Sequence, residues 1–483
     1  MKLKELLKGV EVLKTNVDTE MEITDVTYDS RKVTPGSLFL AIVGFVTDGN
    51  RYIPTALEKG AAVVVTAVEP AEDVPYVLVS SDRLAMALIG SNFYGEPTKS
   101  IKVIGITGTN GKTSSTLLLK HILEVTRGVK VGLIGTMEIL IGDQAIPAER
   151  TTPESLDLHK LFAQMRDAGC TYAIMEVSSH AIALDRIGGM QFEVAAFTNL
   201  TEDHLDFHKT MEHYCDTKAE LFARTDKVVA NCDDSWFARV TAKAAVPVFT
   251  TSLHSGASLW AESQELLSNG IYFRAVTEQE TAEVRLPIPG KFTVYNAMTA
   301  IGCALKLGIS LTEAADALQT AKGIKGRVEV VPTPGKDYTI LIDYAHTPDG
   351  LENVLSSVRG FCKGRLIAVF GCGGDRDPIK RPIMGKIGVE LADIAIITSD
   401  NPRTENPAAI IRDILQGIPA GRNNYEVIEN RVSSIQRAMD IAEKNDIIVL
   451  AGKGHETYQE ICGVKYDLDE RVVVAEYLKK TDA

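Results

Sequence analysis

Val103-Ile104-Gly105-Ile106-Thr107-Gly108-Thr109-Asn110-Gly111-Lys112-Thr113-Ser114 reads as an apolar β-branched strand, a glycine-bearing loop and the start of a helix. Glycines let backbone N–H groups turn toward an anion, and the helix start adds the positive end of its dipole. Lys112 and Thr113 stand where a lysine reaches β- and γ-phosphates and a hydroxyl meets Mg²⁺. This order of elements predicts a phosphate-binding loop formed by Gly108, Thr109, Asn110, Gly111, Lys112, Thr113 and Ser114. The strict G-x-x-x-x-G-K-[ST] spacing asks for glycine at position 106, where this chain has Ile106, so the loop is a variant of the common pattern.

Outward from the loop, short β-branched runs alternate with longer helical patterns, as parallel βαβ construction requires. Strands are predicted at 102–107, 131–135, 172–177, 194–199 and 227–231, with helices at 114–125 and 155–168 between them. A second series begins after Arg327, with strands at 338–343, 365–370, 392–398 and 446–450. The first ninety-odd residues carry strands of their own at 36–43 and 61–65 and end in the turn-rich Gly95-Glu96-Pro97-Thr98. The expectation is an α/β protein of three domains: a small N-terminal α/β domain (1–98), a central doubly wound P-loop domain (99–327) and a C-terminal Rossmann-like domain (328–483), meeting at a shared cleft.

The 483 residues suit three domains of ordinary size, and 45% hydrophobic with 24% charged residues excludes a disordered or low-complexity chain. A net charge of −13 argues against general affinity for nucleic acid or anionic membranes. The start, MKLKELLKGVEVLK, has no apolar stretch of signal-peptide length, and no run approaches the ~20 apolar residues of a membrane span. A cytoplasmic monomer is therefore expected. Seven cysteines with no C-x-x-C pair read as reduced thiols without assigned chemistry.

Further motifs follow the loop in order: Thr151-Thr152-Pro153-Glu154, Glu176-Val177-Ser178-Ser179-His180, Thr198-Asn199-Leu200 and Asp203-His204-Leu205-Asp206. Then come Tyr295-Asn296-Ala297, Asp343-Tyr344-Ala345-His346, Gly371-Cys372-Gly373-Gly374-Asp375-Arg376-Asp377 and Asp400-Asn401-Pro402-Arg403. With Thr107–Thr113 they resemble the Mur ligase family, the ATP-dependent amide ligases of peptidoglycan precursors, and its folylpolyglutamate synthetase relatives. The resemblance spans the whole chain. It implies ATP as co-substrate, Mg²⁺, and joining of meso-diaminopimelate to UDP-N-acetylmuramoyl-L-alanyl-D-glutamate through an acyl phosphate, with ADP and phosphate released.

The resemblance also distributes roles. Lys112, Glu176, His204 and Lys218 become the catalytic set, with Thr113, Glu176, His204 and Lys218 toward metal; His180 and His208 have lesser claims. Composition alone reads Lys218 as a solvated helix lysine, whereas the resemblance makes it a lysine carbamylated by CO₂. Asn296, Arg327 and Asp343 are implied nucleotide contacts. Ser30, Thr151, Thr152, Ser178 and Arg186 are implied contacts of the UDP-muramoyl dipeptide; some relatives carry glutamine where this chain has Leu184. Arg376, Asp400, Asn401, Pro402, Arg403, Gly452 and Glu456 are implied for diaminopimelate. That substrate exceeds lysine by one carboxylate, which a guanidinium such as that of Arg403 can grip through two parallel hydrogen bonds. A relative that adds lysine or glutamate, a P-loop phosphotransferase or switch, and a nucleotide-binding scaffold without catalysis are the competing readings.

Overall fold

The computed structural model describes residues 1–44, 47–71, 73–142, 144–148, 150–267 and 269–481. Its contacts divide the chain into two units, 1–116 with 123–249 and 117–122 with 250 onward.

Within the first unit, the strand Lys102–Thr107 is buried at every residue but its first. Such a strand needs cover on both faces and so belongs in the middle of a parallel sheet. Its neighbours are Cys170–Glu176 on one side and Val194–Phe197 on the other, both parallel, in registers that place Ile174 and Val194 against Ile104. Val228–Asn231 extends the sheet beyond Val194–Phe197, and Lys130–Ile134 extends it beyond Cys170–Glu176. Two antiparallel strands, Glu138–Ile141 and Gln144–Pro147, then continue from Lys130–Ile134. The helices Lys112–Arg127 and Ser155–Asp167 lie where helical periodicity predicts them. The latter begins at Ser155, however, so Thr151 and Thr152 belong to the approach rather than to a helix.

The N-terminal part of this unit has a separate sheet in the order Val12–Thr15, Tyr76–Val79, Val63–Thr66, Leu38–Ala41, Val26–Thr27, parallel except for its first pair. Leu38, Leu40, Val63, Val65 and Val77 face a core shared with Ala85, Met86 and Ile89 of the helix Asp82–Phe93.

The second unit opens with an antiparallel meander, Leu259–Leu267, Gly270–Val276 and Thr281–Leu286, and the helices Lys291–Lys306 and Leu311–Leu318. Sequence periodicity did not mark this meander. A sheet in the order Glu329–Val331, Thr339–Asp343, Ile447–Ala451, Leu366–Phe370, Ile394–Ile397, Tyr425–Val427 follows, parallel except for its first pair. Four of these strands coincide, within two residues at either end, with the four predicted after Arg327. The hairpin Tyr458–Ile461 and Val464–Asp467 stands outside that sheet. No helix among the described residues is long and apolar enough to cross a membrane.

Candidate active site

The phosphate loop leaves the carboxyl end of Lys102–Thr107 and enters Lys112–Arg127 at Gly111, whose φ of 84° is left-handed. A second segment holds it in shape. Thr109 N donates to Asn199 O at 2.8 Å, Asn110 N to Asn199 Oδ1 at 2.9 Å, and Thr198 Oγ1 to Asn110 O at 2.6 Å. At Gly108, where φ is 147°, a Cβ would meet Thr198 Oγ1 at 1.9 Å, so only glycine allows the approach. Lys112 Nζ donates to Gly108 O at 2.9 Å and Thr109 O at 2.8 Å, which places its charge over the loop. Ser114 lies in the first turn of the helix.

Glu176 ends the neighbouring strand and is 1% exposed. Burying a carboxylate without partners is costly, and three donors satisfy this one. Thr113 Oγ1 donates to Oε1 at 2.9 Å, Thr136 N to Oε1 at 3.0 Å, and Thr136 Oγ1 to Oε2 at 3.0 Å. Thr136 carried no sequence signal beyond its place after a predicted strand. Gly135 makes room, since a Cβ there would lie 2.5 Å from Glu176 Oε1.

Lys218, in the helix Met211–Ala219, is no solvated lysine: it is 1% exposed. Its Nζ lies 3.0 Å from Gly108 O, 3.5 Å from Thr107 Oγ1 and 4.6 Å from the centre of the Tyr214 ring. Burial, reinforced by the charge of Lys112, drives its pKa well below the usual lysine range. His204 has a left-handed backbone (φ 54°), with Nε2 3.4 Å from Asp203 Oδ2. Burial lowers its pKa; Asp203 opposes that, and Lys218 and Lys112 add to it. Lys112, His204 and Lys218 thus share one electrostatic neighbourhood beside Glu176 and Thr113. His180 packs edge-on to His204 with ring centres 4.8 Å apart, and His208 Nε2 lies 2.8 Å from Ser179 Oγ.

Among the described residues no three His, Cys, Asp or Glu side chains form a ready-made metal cluster. The Thr113 hydroxyl and the Glu176 carboxylate nevertheless suit Mg²⁺, which typically takes one or two protein oxygens and completes its shell with water and phosphate.

Beside Glu176, Thr152 Oγ1 donates to Glu176 O at 2.8 Å and accepts from Ser178 N at 3.2 Å. Thr151 Oγ1 lies 3.1 Å from Thr136 Oγ1. Arg186 donates through Nη1 to Thr152 O at 2.9 Å and through Nη2 to Glu154 Oε1 at 2.8 Å. The structure therefore brings Thr151, Thr152, Ser178 and Arg186 together. Ser30 starts a short turn in the N-terminal sheet region, capped by Asp29, whose Oδ1 accepts from Arg31 N.

In the second unit, Asp343 ends a strand with both oxygens engaged: Oδ2 accepts from Val328 N and Oδ1 from Ala345 N, each at 2.8 Å. Burial raises its pKa and Arg327 opposes the rise. The Arg327 guanidinium lies 5.1 Å from the centre of the Tyr344 ring, and Asn296 is buried in Lys291–Lys306.

Asn401 Nδ2 donates to Glu456 Oε2 at 2.8 Å, and the fully buried Lys453 donates to Asn401 Oδ1 at 3.1 Å and to Glu456 Oε2 at 3.2 Å. Arg403 follows Pro402 with a left-handed φ of 50°; its Nη1 donates to Gly374 O at 2.8 Å, and its Nε lies 3.4 Å from Glu460 Oε2. Backbone bonds between Arg403 N and Glu460 O, and between Cys462 N and Arg403 O, strap this loop to the hairpin. Arg376 is exposed and bonds Asp375 O. Asn401, Arg403, Gly452 and Glu456 thus come from the loops after Ile394–Ile397 and Ile447–Ala451, two strands that flank Leu366–Phe370 in the sheet; Asn401 and Glu456 share one side-chain network with Lys453, whose part sequence motifs did not signal, and Arg403 stands outside it.

Comparison with known proteins agrees with this architecture. The Mur ligase family catalytic domain matches residues 22–93, the Mur ligase middle domain 106–304, and the Mur ligase glutamate ligase domain 326–454. A Clostridium botulinum protein named UDP-N-acetylmuramoyl-L-alanyl-D-glutamate--2,6-diaminopimelate ligase is 48% identical over 489 residues, covering 99% of this chain and all of the relative. A Clostridium tetani protein of the same name is 46% identical over 487 residues, with the same coverage. A solved structure of a ligase of that name superposes with a TM-score of 0.74 at 29% identity, covering 100% of this chain and 99% of its own. Three consecutive domain matches and relatives nearly half identical from end to end show that this chain belongs to the Mur ligase family.

Proposed function

We infer that the chain is an ATP-dependent acid–amino-acid ligase of peptidoglycan precursor synthesis. It adds meso-2,6-diaminopimelate to the D-glutamyl side-chain carboxylate of UDP-N-acetylmuramoyl-L-alanyl-D-glutamate. The observation that carries this reading is the pairing of two sets of residues in one chain: a phosphate loop beside a buried carboxylate and lysine, and a loop pair presenting Arg403, Asn401 and Glu456. The names of relatives nearly half identical over the full length supply the substrates. The reading takes a single chain in the cytoplasm as the working unit and divides it into modules at about residues 98 and 327, which the three family matches support.

The substrate carboxylate attacks the γ-phosphorus, the bond to the bridging oxygen breaks, and ADP leaves. The amine of diaminopimelate then attacks the acyl carbon, phosphate leaves with the bonding pair, and the nitrogen gives up a proton. Both reactants of the first step are anions, so positive charge must lie between them. Lys112 supplies it at the phosphates, with backbone N–H groups of residues 108–113. Thr113, Glu176, His204 and Lys218 as its carbamate would hold Mg²⁺, whose charge screens the same two anions. Lys218 fits carbamylation because its amine is buried and its pKa is driven down, which favours the neutral amine that reacts with CO₂. Asn296, Arg327 and Asp343 are assigned to ATP. Ser30, Thr151, Thr152, Ser178 and Arg186 are assigned to the UDP-muramoyl dipeptide. Arg403, with Arg376, takes the distal carboxylate of diaminopimelate, and Asn401, Glu456 and the Gly452 backbone take its amino-acid end.

Release of ADP, measured with UDP-muramoyl dipeptide and each amino acid in turn, tests the reading. ADP is expected with meso-diaminopimelate and little with lysine or glutamate; turnover that prefers either of the latter overturns the substrate assignment.

A further inference from the structure

Beneath the two amino-acid loops lies an ion pair that no motif marks. Arg431 begins the helix Arg431–Ile441, Glu470 begins the helix Glu470–Thr481, and both side chains are fully buried. Arg431 Nε donates to Glu470 Oε1 at 2.8 Å, and Nη2 donates to Ala451 O at 2.8 Å, the last residue before Gly452. The remaining nitrogen, Nη1, is buried without a hydrogen-bond partner among the described residues and lies 3.8 Å from Asp400 Oδ2. One guanidinium therefore touches the root of the Gly452–Glu456 loop and faces the first residue of the Asp400–Arg403 loop.

Three further observations tie these groups together. Gly452 has φ 115°, and a Cβ there would lie 2.5 Å from Asp400 Oδ2, so the two loops meet with no room for a side chain. Asp400 is 6% exposed and its Oδ1 accepts from Asn401 N at 2.6 Å, so its carboxylate is turned to the interior. Lys453, from the other loop, lies 4.0 Å from Asp400 Oδ1 and bonds both Asn401 and Glu456. Asp400 thus sits between two buried cations rather than facing a ligand.

A buried ion pair is a weak source of stability, because desolvation consumes most of the attraction; what it does well is fix geometry. We propose that Arg431, held by Glu470, is a positioning residue for the amino-acid substrate: through Ala451 and Asp400 it sets the spacing of the two loops that present Asn401, Arg403 and Glu456. Asp400 acts in the same relay. The inference rests on the reading of these loops as the diaminopimelate subsite.

The test is steady-state ADP release by full-length Glu470→Gln, Asp400→Asn and the double variant, with each of the three substrates varied in turn. Glu470→Gln leaves the guanidinium without its anchoring charge and is expected to raise KM for diaminopimelate roughly tenfold or more, the size typical of losing an outer-shell partner. KM for ATP and for the UDP-muramoyl dipeptide should stay within about twofold. Because both residues act through Arg431, the double variant should be no worse than the poorer single variant, whereas independent sites would add. An unchanged KM for diaminopimelate, equal rises in all three KM values, or additive losses overturn the proposal. Should Glu470→Gln not fold, Arg431→Met/Glu470→Leu replaces the pair with apolar groups and is read in the same way; if that too fails to fold, the pair is structural and the proposal falls. Wild-type protein that releases no ADP with diaminopimelate would instead refute the reading of the subsite, a result visible before any variant is made.

Discussion

Lys112, Lys218 and Arg403 are cations with three different tasks, and each can be removed separately. Lys112→Ala takes charge from the transferring phosphoryl group and no packing from the core, so ADP release should disappear while the far-UV circular dichroism spectrum stays unchanged. Lys218→Ala should lose activity that added short-chain carboxylates partly restore, since they replace the oxygens of a carbamate; failure of every such acid, together with an unmodified intact mass for active wild-type protein, would count against the carbamate. Arg403→Ala removes a two-pronged contact. It should cost roughly 2–4 kcal/mol in kcat/KM for diaminopimelate, about thirtyfold to thousandfold, while the low activity with lysine changes little. Equal losses for the two amino acids would make Arg403 a loop-shaping residue, a role its bond to Gly374 O could also serve. The sequence marked these three residues as candidates because Lys112 and Arg403 lie in short contiguous motifs and Lys218 in a stretch matched by the family resemblance. Thr136, Lys453 and Arg431 were not marked: their partners Glu176, Asn401 and Glu470 lie 40, 52 and 39 residues away, and only the folded sheet joins them.

At the scale of elements, the parallel strands were legible because they are short, β-branched and buried on both faces. The meander was not. Leu259–Leu267 reads Leu-Trp-Ala-Glu-Ser-Gln-Glu-Leu-Leu, rich in helix formers, yet it pairs with Gly270–Val276, its residues alternating first between buried and half-buried and then between exposed and half-buried. Tertiary pairing overrides local propensity there. The helix Ser155–Asp167 carries its own oddity. His159 is 1% exposed, and neither ring nitrogen has a hydrogen-bond partner among the described residues. Burial pushes its pKa down to about 4. The unfolded chain, with an ordinary histidine near 6.5, binds a proton that the native state refuses, so native stability falls as pH drops from about 6.5 toward 4, by up to roughly 3 kcal/mol. Urea midpoints at pH 7 and pH 4.5 should therefore lie closer together in His159→Leu than in the wild type; an unchanged gap would show that other groups carry the acid sensitivity.

For the molecule as a whole, the order of strands in the sheet differs from their order in the chain, and this has a consequence for synthesis. Lys102–Thr107 takes both its neighbours from later sequence, and Thr107 waits 70 residues for the Val177 carbonyl that its hydroxyl meets. A ribosome adding ~5–20 residues per second leaves that apolar strand without its partners for several seconds. Throughout the interval the Thr198 and Asn199 groups that shape residues 108–110 have yet to be made. The nascent chain therefore carries a long-lived unpaired β-segment, the kind of surface that holdase chaperones cover and that seeds aggregation when they are scarce. In chains stalled on the ribosome, protease resistance around residue 108 should appear only once residues through about 231 have cleared the exit tunnel. Resistance in chains stalled with only residue 160 clear would mean that the loop forms without its sheet.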